Sequence, residues 1–409
     1  MESVPVPWGL SRQEKLWPAS GLDLTQLRGR GWEPPPFTEF VLEIHGRCGD
    51  YCSTCAVADR GWCERPETMS RTVFADACRM IGEHARRCEL PAVDLLFHGG
   101  EPLMVGHENL AEYARLAREL LEPITKVRIG MRTNGVLLDE EFVRICDRWG
   151  IRIAVGLDGD RIGNDRHRRE GRSTASYARV VAGLAQLVTD ERRHLFSGLL
   201  CTIDIANDPV DTYESLLVFD PPVVDFRLPH GDWTTPPPNP NPGSGDTPYG
   251  NWLIEIFDRW YPASVLEPRV RLFDDIIELL LGGRVVSESV GLQPIRRVVI
   301  DTDGTLGKVD DPRSASAVAA VSRAVGAANP LDRALWEPSM VARRIGVEAL
   351  SDTCRRCPIH TICGGGQYAH RYRADNGFRN PSVYCADLTA LIMHIGFRLR
   401  ADHDTALGE

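Results

Sequence analysis

Three cysteines within eight residues constrain this chain more than any other feature. Cys48, Cys52 and Cys55 are spaced C-x3-C-x2-C, directly after an apolar run, Phe40–Ile44, that predicts a buried strand. A short loop with this spacing can direct three thiolates at one centre, which suits a [4Fe–4S] cluster with one iron left open. The alternative is zinc, which takes four ligands and would use Cys63 as the fourth.

The chain after residue 37 alternates predicted strands with predicted helices. The helices are expected at about 68–87, 109–121, 139–149, 175–188 and 210–219, and the strands at Phe40–Ile44, Val93–Phe97, Val127–Met131, Ile151–Leu157, Phe196–Ile203 and Val223–Leu228. Such alternation predicts a parallel sheet with right-handed crossovers. Six β-α units predict a partial (β/α)6 TIM barrel, whose chemistry would lie at the carboxyl ends of the strands.

Composition narrows the class of protein. With 409 residues the chain can form two domains, and its formal charge of −10 disfavours a nucleic-acid partner. No apolar run approaches the roughly 20 residues that span a bilayer, and a signal peptide is not evident, so we expect a cytoplasmic protein without a membrane partner. Twelve cysteines in that compartment indicate metal or redox chemistry rather than disulfides.

Four regions are predicted along the chain. Residues 1–36 are expected to form an extended N-terminal arm, too short for a separate peptide-recognition domain, and residues 37–265 the barrel. Residues 266–345 would form a bridge to the C-terminal region, with a helix at about 270–281 and a β-hairpin over 297–310. Another helix, at about 249–260, would come just before this bridge. A helix over about 339–350 would lead into a cysteine-rich domain, residues 346–409.

Candidate ligand-binding residues follow the predicted strands. After the second strand stands His98-Gly-Gly-Glu-Pro102, in which Gly99 and Gly100 permit close backbone approach and Glu101 can accept hydrogen bonds from an ammonium group. Three further strands end at Asn134, Asp158 and Thr202. The Asn-Gly and Asp-Gly pairs at the first two of these also read as ordinary turns.

A second group of cysteines lies near the C-terminus. Cys354, Cys357, Cys363 and Cys385 follow the pattern C-x2-C-x5-C…C. Four thiolates can close a site completely, and zinc and an iron–sulfur cluster satisfy that count equally well. The scattered Cys78, Cys88, Cys146 and Cys201 are expected to be buried as small hydrophobic residues.

The first cysteine motif, followed by Gly-Gly-Glu-Pro about forty residues later, resembles the radical SAM superfamily. The resemblance implies that S-adenosylmethionine binds the open iron of a [4Fe–4S] cluster and is cleaved to a 5′-deoxyadenosyl radical. It also implies that Gly99, Gly100, Glu101 and Pro102 contact the cofactor's methionine group. Asp158 would reach its ribose or carboxylate, with Asn134 and Thr202 at the same mouth.

The C-terminal cysteines resemble the SPASM extension of peptide-modifying radical SAM enzymes, which usually holds two auxiliary [4Fe–4S] clusters. Two positions depart from that pattern, because Gln367 and Val309 stand where cysteines of the inner cluster are found. The resemblance therefore implies one auxiliary cluster, on Cys354, Cys357, Cys363 and Cys385, and an inner cavity left for substrate. Asp310 would be a candidate general base, although it also reads as a surface residue of the hairpin.

At finer grain the chain resembles the FxsB-type maturases of ribosomally synthesised peptides. The shared segments are Phe40-Val-Leu-Glu-Ile-His-Gly-Arg-Cys48, His98–Pro102, Asp301-Thr-Asp-Gly304, Cys363-Gly-Gly-Gly, His370-Arg-Tyr-Arg373 and Gly377-Phe-Arg-Asn-Pro-Ser-Val-Tyr-Cys-Ala-Asp-Leu388. This resemblance implies a three-residue cyclophane, made by joining an aromatic ring carbon to a β-carbon of a precursor peptide. The partners would be that peptide and a flavodoxin- or ferredoxin-type reductase.

Two alternatives remain open at this point. One is another radical peptide modification: a thioether or ether crosslink, or a sulfatase-maturase-like oxidation of a side chain. The other, from a different class, is a zinc-stabilised binding protein without catalytic activity.

Overall fold

A computed structural model describes residues 16–48, 50–52, 65–170, 174–238, 246–307 and 329–408. Its strands, in chain order, are β1 Glu39–His45, β2 Asp50–Cys52, β3 Ala92–Gly99, β4 Lys126–Thr133, β5 Ile151–Gly156, β6 Arg168–Glu170, β7 Thr174–Ala175, β8 Phe196–Thr202, β9 Val223–Arg227, β10 Arg269–Val270, β11 Arg297–Ile300 and β12 Leu306–Gly307. Its helices are α1 Leu24–Gly29, α2 Arg71–Arg87, α3 His107–Leu121, α4 Glu140–Trp149, α5 Arg161–His167, α6 Tyr177–Ala185, α7 Pro209–Leu217, α8 Pro248–Trp260, α9 Arg271–Leu280, α10 Pro330–Leu335, α11 Pro338–Val341, α12 Asp352–Arg355, α13 His360–Cys363 and α14 Cys385–Gly408.

One large sheet carries the architecture. Its strand order is β10-β9-β8-β5-β4-β3-β1-β11-β12, and its pairs are parallel except for the final hairpin of β11 and β12. The six predicted β-α strands are β1, β3, β4, β5, β8 and β9, in that spatial sequence. The predicted partial barrel is thereby confirmed, and the carboxyl ends of its strands share one edge.

The connecting helices form where the sequence caps them. The side chain of Asp139 accepts the Phe142 N–H at the start of α4, and Gly150 ends that helix in the left-handed region at φ +62°. Ser70 caps α2 in the same way through the Val73 N–H. These helices bury apolar faces on the sheet, so that the barrel core is continuous from β1 to β9.

A second, small antiparallel sheet has the order β2-β6-β7. Within it Cys52 on β2 lies opposite Arg168 on β6. The sequence does not predict this sheet, because its strands are only two or three residues long. It ties the first cysteine loop to the segment that follows β5.

Two predictions of local structure are wrong. The helix expected over 339–350 is divided into α11 and a 3-10 turn at Gly346–Ala349, because Gly346 adopts a φ of +60° that interrupts a continuous helix. The N-terminal arm is not extended throughout, since residues 24–29 form α1 with Asp23 as its cap.

The described part of that arm packs on the C-terminal region. Trp17 lies in an apolar cluster with Ala342, Ala349 and Phe378, and its carbonyl accepts the Phe378 N–H. Of the helices the structure describes, none combines the length and apolarity needed to cross a membrane.

Candidate active site

The first cysteine loop leaves β1 and is held against the end of β3 by backbone contacts. His45 O accepts the Gly100 N–H at 2.9 Å, and Arg47 O accepts the Glu101 N–H at 2.8 Å. A Cβ on Gly99 would lie 2.0 Å from His45 O, and one on Gly100 would lie 2.3 Å from Arg47 O. The glycine pair therefore permits close approach by the protein's own cysteine loop.

Cys48 is the first thiol of that loop, and it is partly buried. Asn134 Nδ2 donates to its sulfur over 3.6 Å, so the predicted residues at the ends of β1 and β4 meet. The side chains of Cys52, Cys55 and Cys63 lie outside the described residues. The ligand set predicted on Cys48, Cys52 and Cys55 thus stays a prediction, with Cys48 in the expected place.

Glu101 joins β3 to the end of β4. Its carboxylate is buried and accepts three hydrogen bonds: from Leu103 N at 3.0 Å, Thr133 Oγ1 at 2.7 Å and Asn134 N at 2.8 Å. Pro102 then begins a 3-10 turn. Glu101 positions Asn134 at the mouth of the barrel, in addition to its predicted contact with an ammonium group.

Asp158 follows β5 and is also buried. Arg168 on β6 donates to both of its carboxylate oxygens, at 2.5 and 2.9 Å, and the Thr202 N–H donates to one of them at 2.8 Å. The Arg168 guanidinium lies over Gly156, where a Cβ would meet it at 2.6 Å. The predicted residues Asp158 and Thr202 are therefore brought together, and Arg168 is the link between them and the small sheet.

The inner face of the barrel lines a cavity of about 520 Å³. Side chains two residues apart on each strand face it, such as Val41 and Glu43 on β1 and Leu96 and His98 on β3. Its far wall comes from the C-terminal region, including Gln367 and His370. Gln367, one of the two positions that depart from the SPASM pattern, thus borders open space.

Charged side chains make up much of the cavity lining. Arginines from five elements line it, and most have carboxylate partners: Arg227 and Asp225 lie 3.1 Å apart, and Arg297 and Glu39 lie 2.8 Å apart. Burial raises the pKa of Asp225, but the neighbouring guanidinium groups outweigh this effect and hold it below its usual value.

The four C-terminal cysteines are neighbours. Burial raises the pKa of Cys363 to about 11, and the thiols of Cys385 and Cys354 add to that rise while the Gly365 N–H opposes it. Burial, and then Cys354 and Cys357, raise the pKa of Cys385 in the same way. Neighbouring thiols make one another's negatively charged thiolate form less stable. A metal ion or cluster supplies the compensating positive charge, so these four thiols suit such a centre.

Arg371 holds the loop that carries Cys363. Its buried guanidinium donates to three consecutive carbonyls, those of Gly364, Gly365 and Gly366, at 2.7, 3.0 and 2.5 Å. Burial lowers the pKa of Arg371, and Tyr368, Cys354 and Cys363 partly offset this effect. A buried cation beside these thiols favours their thiolate form, which is the form that binds iron or zinc.

These thiols lie near one another but do not converge on a single position. Among the residues that the structure describes, no three His, Cys, Asp or Glu side chains already surround a metal position. Asp310, the candidate base, lies outside the described residues, as does Val309. Cys78, Cys146 and Cys201 are buried as predicted, whereas Cys88, just after α2, is only partly buried.

Two arginines belong to the site in addition to the predicted residues. Arg168, ten residues after Asp158, donates to both oxygens of that carboxylate. Arg132 was overlooked, although its place one residue before Thr133 at a strand end was a usable signal. The alternation of β4 puts it on the face that lines the cavity.

Comparison with known proteins agrees with this geometry. The Radical SAM superfamily model matches residues 42–192. A cysteine-type anaerobic sulfatase-maturating enzyme of Clostridium novyi is 23% identical over 52% of this chain and 58% of its own length. A serine-type anaerobic sulfatase-maturating enzyme of Bacteroides thetaiotaomicron is also 23% identical, over 60% of this chain and 63% of its own length. The chain thus spans about three fifths of the length of these curated relatives.

Solved structures extend the likeness over most of the fold. The structure titled native anSMEcpe with bound AdoMet has a TM-score of 0.73 at 17% identity, covering 90% of this chain and 99% of that one. Streptococcus suis SuiB bound to precursor peptide SuiA has a TM-score of 0.56 at 15% identity, covering 88% of this chain and 78% of that one. At such identities the likeness establishes the fold alone.

Proposed function

We propose that this chain modifies a ribosomally synthesised precursor peptide. The proposal starts from the radical SAM domain over residues 42–192, whose cofactors are S-adenosylmethionine and a [4Fe–4S] cluster. The observation that carries the proposal is the 520 Å³ cavity inside the barrel, beneath the residues predicted to hold the cofactor. A cavity of this size accommodates a few side chains of a peptide.

The residues of this chain have different roles according to where they lie in the site. Gly99 and Gly100 hold the cysteine loop on the strand ends, while Glu101 and Asp158 fix Asn134 and Thr202 around the mouth of the cavity. When bound, the cofactors supply a radical that removes a hydrogen atom. The barrel wall then has to hold the reacting carbon close to that radical and keep water away.

We propose a carbon–carbon crosslink as the product, between an aromatic ring carbon and a β-carbon in a three-residue cyclophane. One hydrogen leaves the β-carbon as an atom, and the ring loses an electron and a proton, so the peptide loses two hydrogens in all. Asp310 is the candidate for receiving the proton. An auxiliary [4Fe–4S] cluster held by Cys354, Cys357, Cys363 and Cys385 would be the candidate for receiving the electron. A flavodoxin- or ferredoxin-type reductase would be the electron donor.

Oxidation of a serine or cysteine side chain is the second candidate, because the names of the curated relatives specify sulfatase maturation. Oxidation of a serine to an aldehyde also removes two hydrogens. Mass alone therefore does not separate the two products, whereas reaction with a hydrazide identifies an aldehyde.

The test is co-expression, under low oxygen, of the enzyme with the small peptide encoded beside its gene. A cyclophane predicts a loss of about 2 Da per ring, no hydrazide adduct and fragmentation blocked across three residues. The Cys48→Ala, Cys52→Ala, Cys55→Ala triple variant should fail to modify the peptide. The control variant Cys78→Ala, at a buried thiol of α2, should still modify it. A hydrazide adduct would replace the crosslink by side-chain oxidation, and persistent cofactor cleavage by the triple variant would refute the radical SAM site itself.

A further inference from the structure

Arg132 lies on the cavity side of β4, immediately before the residues that meet Glu101 and Cys48. Its register partner on β5 is Ala154, and Gly130 precedes it on the same face. Small residues beside and below Arg132 leave its guanidinium room within the barrel. The side chain thus lines the space proposed for the peptide, next to the residues predicted to bind the cofactor.

Arg132 differs from the other arginines of the cavity in its partners. Arg227 and Arg271 share Asp225, at 3.1 and 3.7 Å, and Arg269 lies 2.8 Å from Asp274. Arg297 contacts both Glu39 and Glu288. In the described parts of the chain, Arg132 makes no hydrogen bond or ion pair.

The surroundings of Arg132 favour an incoming anion. Burial and the positive charges of Arg227 and Arg297 lower its pKa to about 9, while the carboxylates of Asp225 and Glu39 act more weakly in the opposite direction. The side chain therefore stays charged at neutral pH, although no carboxylate among the described residues forms a hydrogen bond or ion pair with it. A carboxylate that enters the cavity would supply one, with two parallel hydrogen bonds to the planar guanidinium.

We propose that the barrel cavity binds a carboxylate of the substrate peptide and that Arg132 is the residue that recognises it. The proposal rests on the proposed function, because it takes a peptide to be the molecule in the cavity. It names the substrate's chemical class: a peptide with an acidic side chain, or a C-terminal carboxylate, placed next to the reacting residue.

Two pairs of small probes test this without any turnover, by ligand-detected NMR titration of the full-length, cluster-loaded protein. N-acetylglutamate α-amide against N-acetylglutamine α-amide tests an acidic side chain. N-acetylalanylalanine against its C-terminal amide tests a chain end. We expect one of the acids to bind with saturation, and its neutral counterpart to bind about tenfold more weakly or worse, as for a charge-assisted pair.

Substitutions assign the binding to Arg132. Arg132→Gln should reduce the acid's affinity about tenfold, and Arg132→Lys should recover part of it. The matched control is Arg128→Gln, on the same face of β4 but ion-paired with Asp94 at the exposed end of the strand. If Arg132→Gln does not fold, the comparison of acid with amide on the unaltered protein still tests for carboxylate recognition, and a reduced affinity in Arg132→Lys tests its assignment to Arg132.

Three outcomes would overturn the inference. They are no saturable binding of either acid, equal binding of acid and amide, and loss of acid binding when S-adenosylmethionine is present, which would assign Arg132 to the cofactor's own carboxylate. Failure of the proposed function is seen separately, as an absence of cofactor cleavage or of a mass change in the precursor peptide. The two failures are therefore distinguishable.

Discussion

The two cysteine regions of this molecule differ in how they are held. Cys48 belongs to a loop whose position depends on other elements: the glycines after β3 and Asn134 after β4. Cys354, Cys363 and Cys385 lie in one C-terminal segment, with Arg371 of the same segment holding its loop. The first site should therefore be separable from folding, whereas the second should be coupled to the stability of its own segment.

The strongest test of this comparison is Gly100→Ala. The added Cβ would lie 2.3 Å from Arg47 O and 2.7 Å from Cys48 N, so the cysteine loop has to leave its place. We expect cofactor cleavage to fall by about a hundredfold or more, since small displacements at a reaction centre carry such costs.

Iron analysis of the same variant separates the two sites. Auxiliary iron and the secondary structure should remain, which circular dichroism can check. Gly29→Ala is the control, because nothing lies within 4 Å of its added Cβ. Loss of all iron in Gly100→Ala would show that the two regions are coupled.

Arg371→Met tests the C-terminal cysteine region by removing a contact inside it. It removes the donor to three buried carbonyls, and we expect a loss of about 3 kcal/mol in the free energy of unfolding, together with the auxiliary iron. The measurement is urea denaturation with iron quantification. Arg373→Met is the matched control, since Arg373 is half exposed and pairs with Asp375 on the surface. Full stability with loss of iron would contradict the coupling.

Acid should weaken the barrel side of the comparison. His84 on α2 is buried, its Nε2 lies 3.2 Å from Phe37 O, and burial lowers its pKa to about 4. Between pH 6.5 and 4 the unfolded chain binds a proton that the folded chain does not. Stability should therefore fall by about 2 kcal/mol as the pH falls through this window, and change no further from this group below it.

Urea denaturation at several pH values measures this effect. His84→Gln, whose amide can still reach Phe37 O, should remove most of the dependence in that window. His107, on the exposed side of α3, is the control position. An unaltered slope in His84→Gln would assign the acid sensitivity to other groups.

The smallest expected effect comes from Asp158→Asn. The amide cannot neutralise Arg168, whose side chain is only 15% exposed, so the tie between β5 and the small sheet is weakened but not removed. We expect the KM for S-adenosylmethionine to rise about tenfold with kcat little changed, as for a lost charge-assisted contact. Arg161→Gln, at a side chain 73% exposed, is the control. An unchanged KM would leave Asp158 a purely structural role.

Much of the fold was predictable because its signals are local. The apolar runs of β1 and β3 to β5 and the caps of α2 and α4 specify their elements within a few residues. The small sheet was not predictable, because its pairing of Cys52 with Arg168 joins residues more than a hundred positions apart. The division of 339–350 was missed because Gly346 could equally have been tolerated within a helix.

For the candidate site, too, local features were predictable from the sequence and long-range contacts were not. The cysteine spacings and the Gly-Gly-Glu-Pro motif determined the kind of cofactor and which residues should meet, because thiolate number and glycine geometry are properties of short segments. Only the tertiary structure decided that the glycines make room for the protein's own loop, that Asp158 binds Arg168, and that Arg132 faces the cavity without a carboxylate partner among the described residues. The physical reason is that such partners are selected by packing between distant strands, and no local pattern encodes that choice.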